Sequence, residues 1–496
     1  NPQFIAITLA GLIIVGVFLA QAGRIYSTPT KLVTYTVMGM ITAAFRMLSL
    51  IIIVIYSGEL LWREREQHIN GLLDSSPVRN SVLMIPKFIA VVFVPFVLYI
   101  LSAFMGIILQ ISKGFYDFNF QLYISEIGLG SFQIILFAAL AFFIHIIVNH
   151  KYFGHLLVIG ISVFVSNSAS FGLEHNLLRF GKGGSYMFSD MNGFGNFLPK
   201  FLWFRSYWIF FALILLSVAF VLYVRGNEIK FKTRLKEVRS RLNKSVIIWV
   251  GVFLIGFVGT GSYIFYNTNV LEEYTTSKEN IKESVRYENL YKKYAKVSQP
   301  RITDVNLEVD IFPHKQEADF RGTMVLKNKT DLPIDSLHYE INTSLVLNSI
   351  DFSAKYEEVL KDEDYGYNIC RLIEPLQPGE SIEMTFDFSS KRKNFDPTTS
   401  IVDNGTFINN TLFMPSLGYS GKYALQDEKL RKKHNLEPTE RMADVTDEKA
   451  RMNHYISGDS DWVNFQATVS TSEDQIAITP GYVQKEWNEN GRNYYH

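Results

Sequence analysis

The sequence predicts a membrane α-helical bundle of about seven spans followed by an extracytoplasmic all-β domain. Three observations carry this. Apolar runs long enough to cross a hydrocarbon core recur up to about Tyr266 and not beyond, cations crowd into two of the connections between them, and from Arg301 the apolar period falls to two. The overall hydrophobic share of 48% hides the division, because it averages a lipid-soluble half with a water-soluble one.

A helix rises about 1.5 Å per residue, so crossing roughly 30 Å of hydrocarbon takes about 20 apolar residues. Segments that meet or approach this length run from Phe4 to Ala20, Val37 to Tyr56, Phe88 to Ile111, Leu129 to Val148, His155 to Ser168, Tyr207 to Val224 and Val246 to Tyr266. The fifth is short enough to need an extension or a tilt.

Short connections rich in Lys and Arg stay in the cytoplasm. After the sixth span come Arg225, Lys230, Lys232, Arg234, Lys236, Arg239, Arg241 and Lys244, opposed by Glu228 and Glu237. That connection is therefore read as cytoplasmic, with the basic run setting topology and touching anionic lipid head groups. Counting back, Trp62 to Lys87 is also cytoplasmic, and it carries Arg63, Arg65, Arg79 and Lys87. The seventh span then delivers the rest of the chain to the outside. The predicted order is residues 1–224 as a six-span unit, 225–245 as the basic loop, 246–266 as the seventh helix, 267–300 as a helical spacer and 301–496 as the outer β-rich domain.

A formal net charge of zero argues against a nucleic-acid partner, which would call for an excess of cations. With a single cysteine, Cys370, no intrachain disulfide can form, so the outer half must fold on its core alone. The start at Asn1 and the close on Asn493-Tyr494-Tyr495-His496 suggest a piece of a longer protein, and no cleavable signal pattern is visible.

Between the second and third spans lies Gly58-Glu59-Leu60-Leu61-Trp62-Arg63-Glu64-Arg65-Glu66-Gln67-His68-Ile69-Asn70-Gly71-Leu72-Leu73-Asp74-Ser75-Ser76-Pro77-Val78-Arg79. On a helical wheel Trp62, Ile69 and Leu73 share one face, and Arg63, Glu66, Gln67 and Asn70 the opposite one. By itself this predicts an amphipathic interfacial helix with Trp62 as an anchor and Ser75-Ser76-Pro77 as its stop. The stretch also resembles the cytoplasmic segment of bacterial ABC-2-type permeases, in which a Glu and an Arg-Glu-Arg run lead into a helix, a Pro-Val turn and a Lys before the next span, here Lys87. The resemblance implies a coupling helix that takes motion from a separate ATPase, with Glu59, Trp62, Arg63, Arg65 and Glu66 as its residues. Gly181-Lys182-Gly183-Gly184-Ser185 lacks the spacing and the preceding strand of a phosphate-binding loop, so ATP is expected on a partner subunit.

Arg46 falls near the middle of the second span, where an unpaired cation costs several kcal/mol. It is expected to face the bundle or a cavity, with backbone carbonyls, a missing segment of the parent or an outer-loop acid such as Glu126 as partners. His145, His150 and His155 recur every five residues, which puts them on different helical faces and argues against a metal site. The connection after the fifth span carries Ser189-Asp190-Met191-Asn192-Gly193-Phe194-Gly195, a turn by composition. Asp190, Asn192 and Gly193 also resemble a motif of the same permeases, which implies a part in docking the outer domain.

In the outer half, Thr276-Ser277-Lys278-Glu279 has the form of a capping box, and Tyr287, Leu290, Tyr291 and Tyr294 make a helical stripe that should pack on the following domain, with Glu288 and Lys292 paired at the surface. From Arg301 the period is two: Val305, Leu307, Val309 and Ile311 alternate with Asn306, Glu308 and Asp310. Strands are expected to about Asp387, punctuated by turns at Asn328-Lys329-Thr330-Asp331-Leu332-Pro333 and Gln377-Pro378-Gly379-Glu380, as in a sandwich or saddle-shaped sheet. A solvated acidic turn accounts for Asp362, Glu363 and Asp364.

The order V-x-L-x-V-D-I-F-P, F-R-G-T-M-V-L-K-N-K-T and L-Q-P-G-E-S resembles the N-terminal β-domain of M1-family zinc aminopeptidases, and Phe413-Met414-Pro415-Ser416-Leu417-Gly418-Tyr419, Ser470 to Ala477 and Pro480-Gly481-Tyr482 continue it. With the spans before it, the chain resembles bacterial fusions of an ABC-2 permease to an M1-like peptidase. That family holds zinc by H-E-x-x-H and a later Glu. No His-Glu dipeptide occurs here, Glu174-His175 reverses it, and the family's G-x-M-E-N motif is missing. The chain therefore carries no catalytic or metal residues of its own, and zinc is expected only if the parent continues into a catalytic domain.

These resemblances imply a multi-pass protein of the bacterial inner membrane with residues 267–496 extracytoplasmic. It would be a permease subunit engaging an ABC ATPase at its cytoplasmic face, within the lipid bilayer, and completed by a second permease half or by dimerisation. The alternatives are a membrane-tethered zinc aminopeptidase whose catalytic domain lies beyond this chain, and a non-catalytic outer binding module.

Overall fold

A chain in hydrocarbon must satisfy its backbone polar groups internally, so apolar runs of span length fold as helices. The computed structural model bears this out and describes residues 2–21, 24–25, 28–78, 80–148, 150–223, 231–392, 395, 400–439, 442–448 and 459–496. Asn1, Arg79, Val224, Arg225, Glu228 and Lys230, named above, lie outside these residues, as do the side chains of Asp74, Glu237 and Arg239. The chain divides into two units: Asn1–Ser189 with Phe197–Tyr274, and Asp190–Asn196 with Thr275–His496.

The first unit is helical. After α1 (Pro2–Ala20) and a two-residue ladder, β1 (Arg24–Ile25) with β2 (Thr28–Pro29), come α2 (Thr34–Glu66), α3 (Asn70–Ser75), α4 (Asn80–Ser112), α5 (Phe120–Val148), α6 (Lys151–Asn167), α7 (Phe197–Leu222), α8 (Phe231–Arg241) and α9 (Lys244–Phe265). Among the described residues six helices are long and apolar enough to cross a membrane: α2, α4, α5, α6 extended by a 3-10 turn to Phe171, α7, and α9 extended to Val270. The first expected span is helical as α1, whose described apolar stretch is Ile5–Ala20.

α2 stands at the centre. Val37, Ile41, Phe45, Leu48 and Ile52 bury one side of it against Val91, Leu98, Tyr99, Ile134 and Ala138 of α4 and α5. Phe45 stacks on Tyr99 at 4.7 Å. The connection carrying the cations folds as α8, and two of its arginines turn inward. Arg234, 2% exposed, donates from Nη1 to Ile146 O (2.7 Å) and Leu222 O (3.2 Å) and from Nη2 to Ile147 O (2.6 Å). Arg241 Nη1 donates to Val221 O at 3.2 Å. These are carbonyls left open at the C-terminal ends of α5 and α7, where cations also meet the negative end of the helix dipole. So the basic run caps helices as well as carrying charge, which its composition did not reveal.

The second unit opens with α10 (Ser277–Tyr291), started by the capping box of Thr276 and Glu279. Eleven strands follow: β3 (Arg301–Phe312), β4 (Glu317–Lys327), β5 (Ile334–Glu340), β6 (Val346–Phe352), β7 (Tyr356–Lys361), β8 (Tyr367–Leu376), β9 (Ser381–Ser390), β10 (Ser416–Leu417), β11 (Ser460–Ser472), β12 (Glu486–Glu489) and β13 (Arg492–Tyr495). They form a seven-stranded sheet, β12-β13-β11-β3-β4-β9-β6, and a four-stranded one, β10-β5-β8-β7. Val305, Leu307, Phe320, Met324 and Phe386 of the first share a core with Leu337, Tyr339, Cys370 and Leu372 of the second, so the two sheets pack as a sandwich.

Strands continue past Asp387: β11 enters beside β3 in parallel, with Phe465 opposite Val305 and Val469 opposite Val309. One expectation is corrected here: the region is not purely β, since α11 (Glu428–Lys433) lies within it. The turn at Gln377 is as expected: Gly379 takes φ +85°, and Gly379 N donates to Asn328 O at 2.8 Å. The tyrosine stripe packs on its own domain, Tyr287 and Tyr291 being buried with Tyr367 and Ile369.

Candidate functional site

Thirty-three residues of α2 make a rod of roughly 50 Å, about 20 Å longer than the hydrocarbon it would cross. The surplus is the C-terminal end, where Glu59, Trp62, Arg63, Arg65 and Glu66 lie. The expected amphipathic helix through Leu73 is not one helix. α2 ends at Glu66, His68 takes the left-handed φ of +55°, and the short α3 begins at Asn70. His68 N donates to Arg65 O (3.1 Å) and Ile69 N to Glu64 O (3.0 Å), the double closure of a Schellman motif. Glycine usually marks that position, so the histidine concealed the break.

The break leaves Ile69 43% and Leu72 79% exposed, beside exposed Arg63, Glu66 and Gln67. Trp62 and Ile69 therefore do not share one helical face. The Arg65 guanidinium stands 5.2 Å from the Trp62 ring centroid, and Trp62 Nε1 is buried without a hydrogen-bond partner among the described residues.

Ion pairs brace this end against its neighbours. Lys87 of α4 reaches Glu64 at 2.6 Å. Lys151, first residue of α6, reaches Glu59 at 2.6 Å and Glu66 at 2.9 Å. Sequence reasoning missed Lys151. A signal existed, because Glu59 and Glu66 are seven residues apart and so share a helical face that calls for a cation.

One turn deeper, His145 of α5 and His155 of α6 meet with ring centroids 4.9 Å apart. Spacing along one helix could not show this, since the contact is made across the α5–α6 turn. His145 is 1% exposed and neither ring nitrogen has a partner among the described residues. Both rings lie against glycines: a Cβ on Gly58 would stand 2.2 Å from His155 Cε1, and one on Gly154 2.3 Å from His145 Nδ1. Among the described residues no group of three or more His, Cys, Asp and Glu could hold a metal ion.

Arg46 lies within α2 and is exposed. Glu126, suggested as its partner, lies inside α5 rather than in a loop, is 8% exposed, and accepts a hydrogen bond from Tyr186 Oη at 3.0 Å instead. Thr42, one turn before Arg46, bonds the Tyr99 hydroxyl at 2.8 Å.

Asp190, Asn192 and Gly193 belong to the second unit. Gly193 takes φ +57° and Gly195 N donates to Asn192 O at 3.0 Å, a tight turn. Within that unit Asn196 Oδ1 accepts a hydrogen bond from Gln316 Nε2, and Met191 lies against Gly405.

No protein-family model matches the chain, and no curated protein matches it. Among solved structures it is similar to the M1 zinc metallopeptidase of Deinococcus radiodurans, at 13% identity and a TM-score of 0.24, covering 40% of this chain and 38% of that one. A mutant of that enzyme bound to a Tyr-Ser-Ala substrate matches at 12% identity with the same coverage and TM-score. The chain thus spans well under half the length of these neighbours. The likeness concerns fold, and the activity named is theirs.

Proposed function

We propose that this chain is the membrane subunit of an ABC-2-type transporter, driven by a separate ATPase and carrying an extracytoplasmic domain. One observation carries the reading: α2 runs unbroken from the buried centre of the bundle to an end that overshoots the hydrocarbon and is braced by Lys87 and Lys151, and the break after it sets Ile69 and Leu72 of the α3 turn in solvent. A stiff helix of this kind transmits a push at its tip to the packed core, because close-packed interiors do not absorb displacement. The likeness of Gly58 to Arg79 to the coupling segment of such permeases supports the same role for Glu59, Trp62, Arg63, Arg65 and Glu66.

In this reading the α2 tip and the basic α8 face the cytoplasm of a bacterial cell, α1 supplies a seventh span, and the second unit is outside. ATP belongs to the partner, and a second permease half or a second copy completes the pathway. The turn at Asp190, Asn192 and Gly193 is an attachment point of the outer domain.

The test is reconstitution with a candidate ATPase. ATP hydrolysis should rise on adding the chain, and Ile69→Asp with Leu72→Asp should abolish that rise without lowering the chain's thermal midpoint. An unchanged rise in this double variant would sink the assignment of the tip.

A further inference from the structure

Residues between Gly172 and Asn196 connect two candidate spans, yet they do not simply cross the surface. From Gly172 to Ser189 they are irregular apart from the 3-10 turn Asn176–Leu178, and their backbone carbonyls accept hydrogen bonds from side chains of α7. Trp208 Nε1 donates to Lys182 O at 2.7 Å, Arg205 Nη1 donates to Gly181 O at 2.7 Å, and the Phe180 ring meets Trp208 at 5.3 Å. Gly183 and Gly184 lie so close to Phe204 and to the Phe201 backbone that no side chain would fit. Trp208 lies roughly 16 Å along α7 from Phe197 at about 1.5 Å per residue, so the loop follows α7 over about that length.

Irregular backbone at such depth persists only when buried in protein or lining a polar cavity. Here it gathers cations. Arg179, Arg46 and Arg205 all lie within electrostatic reach of Lys182, and Arg46 within reach of Arg205. Burial first, and then those three charges, hold the Lys182 amine below the usual lysine range. Arg179 is held by Ser168 Oγ at 2.9 Å and Arg205 by Gln133 Oε1 at 3.1 Å, both neutral groups. Lys87 pairs with Glu64, and Lys151 with Glu59 and Glu66, and none of these ion pairs involves the four. Glu126 is the acid next to Tyr186 in this region. Arg205 Nε is buried with no partner among the described residues, and Arg46 is exposed.

Uncompensated charges out of water are costly, and a bound anion removes that cost. We propose that Arg46, Arg179, Lys182 and Arg205 form an anion site inside the helical unit that takes a phosphate group. Four cations from three separate chain segments suit a multivalent oxyanion, whose oxygens accept several charge-assisted bonds at once. The phosphate can arrive on a lipid head group from the side or on a solute from the aqueous end. The site does not depend on the ATPase-driven reading, since it requires only these side chains.

The test uses the full chain in phosphate-free maltoside micelles, with thermal midpoint as the readout. Inorganic phosphate is titrated in one series and phosphatidic acid in mixed micelles in another. The midpoint should rise in at least one series, and Arg46→Gln with Lys182→Gln should weaken the apparent affinity about tenfold or more. Lys182→Gln alone, on a loop side chain, should shift it in the same direction even if the double variant does not fold. Lys236→Gln on the exposed face of α8 should leave it unchanged. A rise with phosphatidic acid alone identifies a lipid head group, and a rise with inorganic phosphate identifies a soluble ligand. No rise in either series, or an equal rise in wild type and Lys182→Gln, overturns the proposal.

Discussion

Arg431 binds Glu288 through two parallel bonds, Nη1 to Oε2 at 2.8 Å and Nη2 to Oε1 at 2.6 Å, with both side chains 3% exposed. The same guanidinium donates from Nη1 to Leu425 O and from Nε to Glu437 O, so four of its five N–H groups are engaged. The pair clamps α10 to the segment around α11. Lys292 also reaches Glu288, at 3.1 Å, but the acid is buried rather than on the surface as its i,i+4 spacing suggested.

Removing one member strands the other. Arg431→Met should destabilise the outer unit by about 3–5 kcal/mol, whereas Arg431→Met with Glu288→Met should recover most of the loss. Burial pushes the Glu288 carboxyl up, but Arg431 and Lys292 outweigh it and hold the group below its ordinary value. This contribution is therefore present above the ordinary carboxylate pKa and is lost as pH falls through the depressed one. Thermal midpoints of the three proteins at neutral and acid pH check both statements.

Glu340 has the opposite sign. Burial raises it to about 7, partly offset by the Tyr287 hydroxyl at 2.8 Å and by Lys422. A carboxyl whose folded pKa is raised contributes stability that is complete below its ordinary pKa and disappears as pH rises through the folded one. Between about pH 4.5 and 7.5 the wild type should lose about 3 kcal/mol on this account. Glu340→Gln, which keeps an acceptor for Tyr287 but cannot ionise, should lack that loss, so its advantage over wild type should grow with pH in paired denaturation curves.

Two glycines of α6 give a matched comparison. A Cβ at Gly154 would stand 2.3 Å from Nδ1 of the buried His145, whereas one at Gly160 meets nothing within 4 Å. Gly154→Ala should cost about 1–3 kcal/mol through overpacking. Gly160→Ala should be neutral or slightly stabilising, because alanine favours the helix by up to about 1 kcal/mol. Equal midpoints for the two variants would contradict the packing described for α5 and α6.

Lys151 should matter more for coupling than for folding. Glu59 and Glu66 keep 43% and 49% of their side-chain surface exposed, so the pairs are worth about 0–1 kcal/mol. Lys151→Gln should barely move the thermal midpoint yet lower the stimulation of a partner ATPase severalfold. Retained stimulation would show that the brace is not part of the drive.

Several features were legible because they are local. Span-length apolar runs, the Thr276 capping box, the alternation of β3 and the turn at Gly379 each follow from neighbouring residues. Others carried a signal without a local marker: Val463, Phe465, Ala467 and Val469 alternate as β3 does and lie within β11. The end of α2 was misjudged because His68 occupies a left-handed position where glycine is the usual marker.

The sequence by itself determined that the chain has an apolar helical half and an alternating β half, because hydrophobic length and period are properties of a segment and its solvent. Only the tertiary structure decided which polar groups meet. His145 reaches His155, Lys151 reaches Glu59, and Arg431 reaches Glu288 across 143 residues of chain. Such encounters depend on how helices and strands pack, and a buried charge registers its partner only once water has been excluded from both.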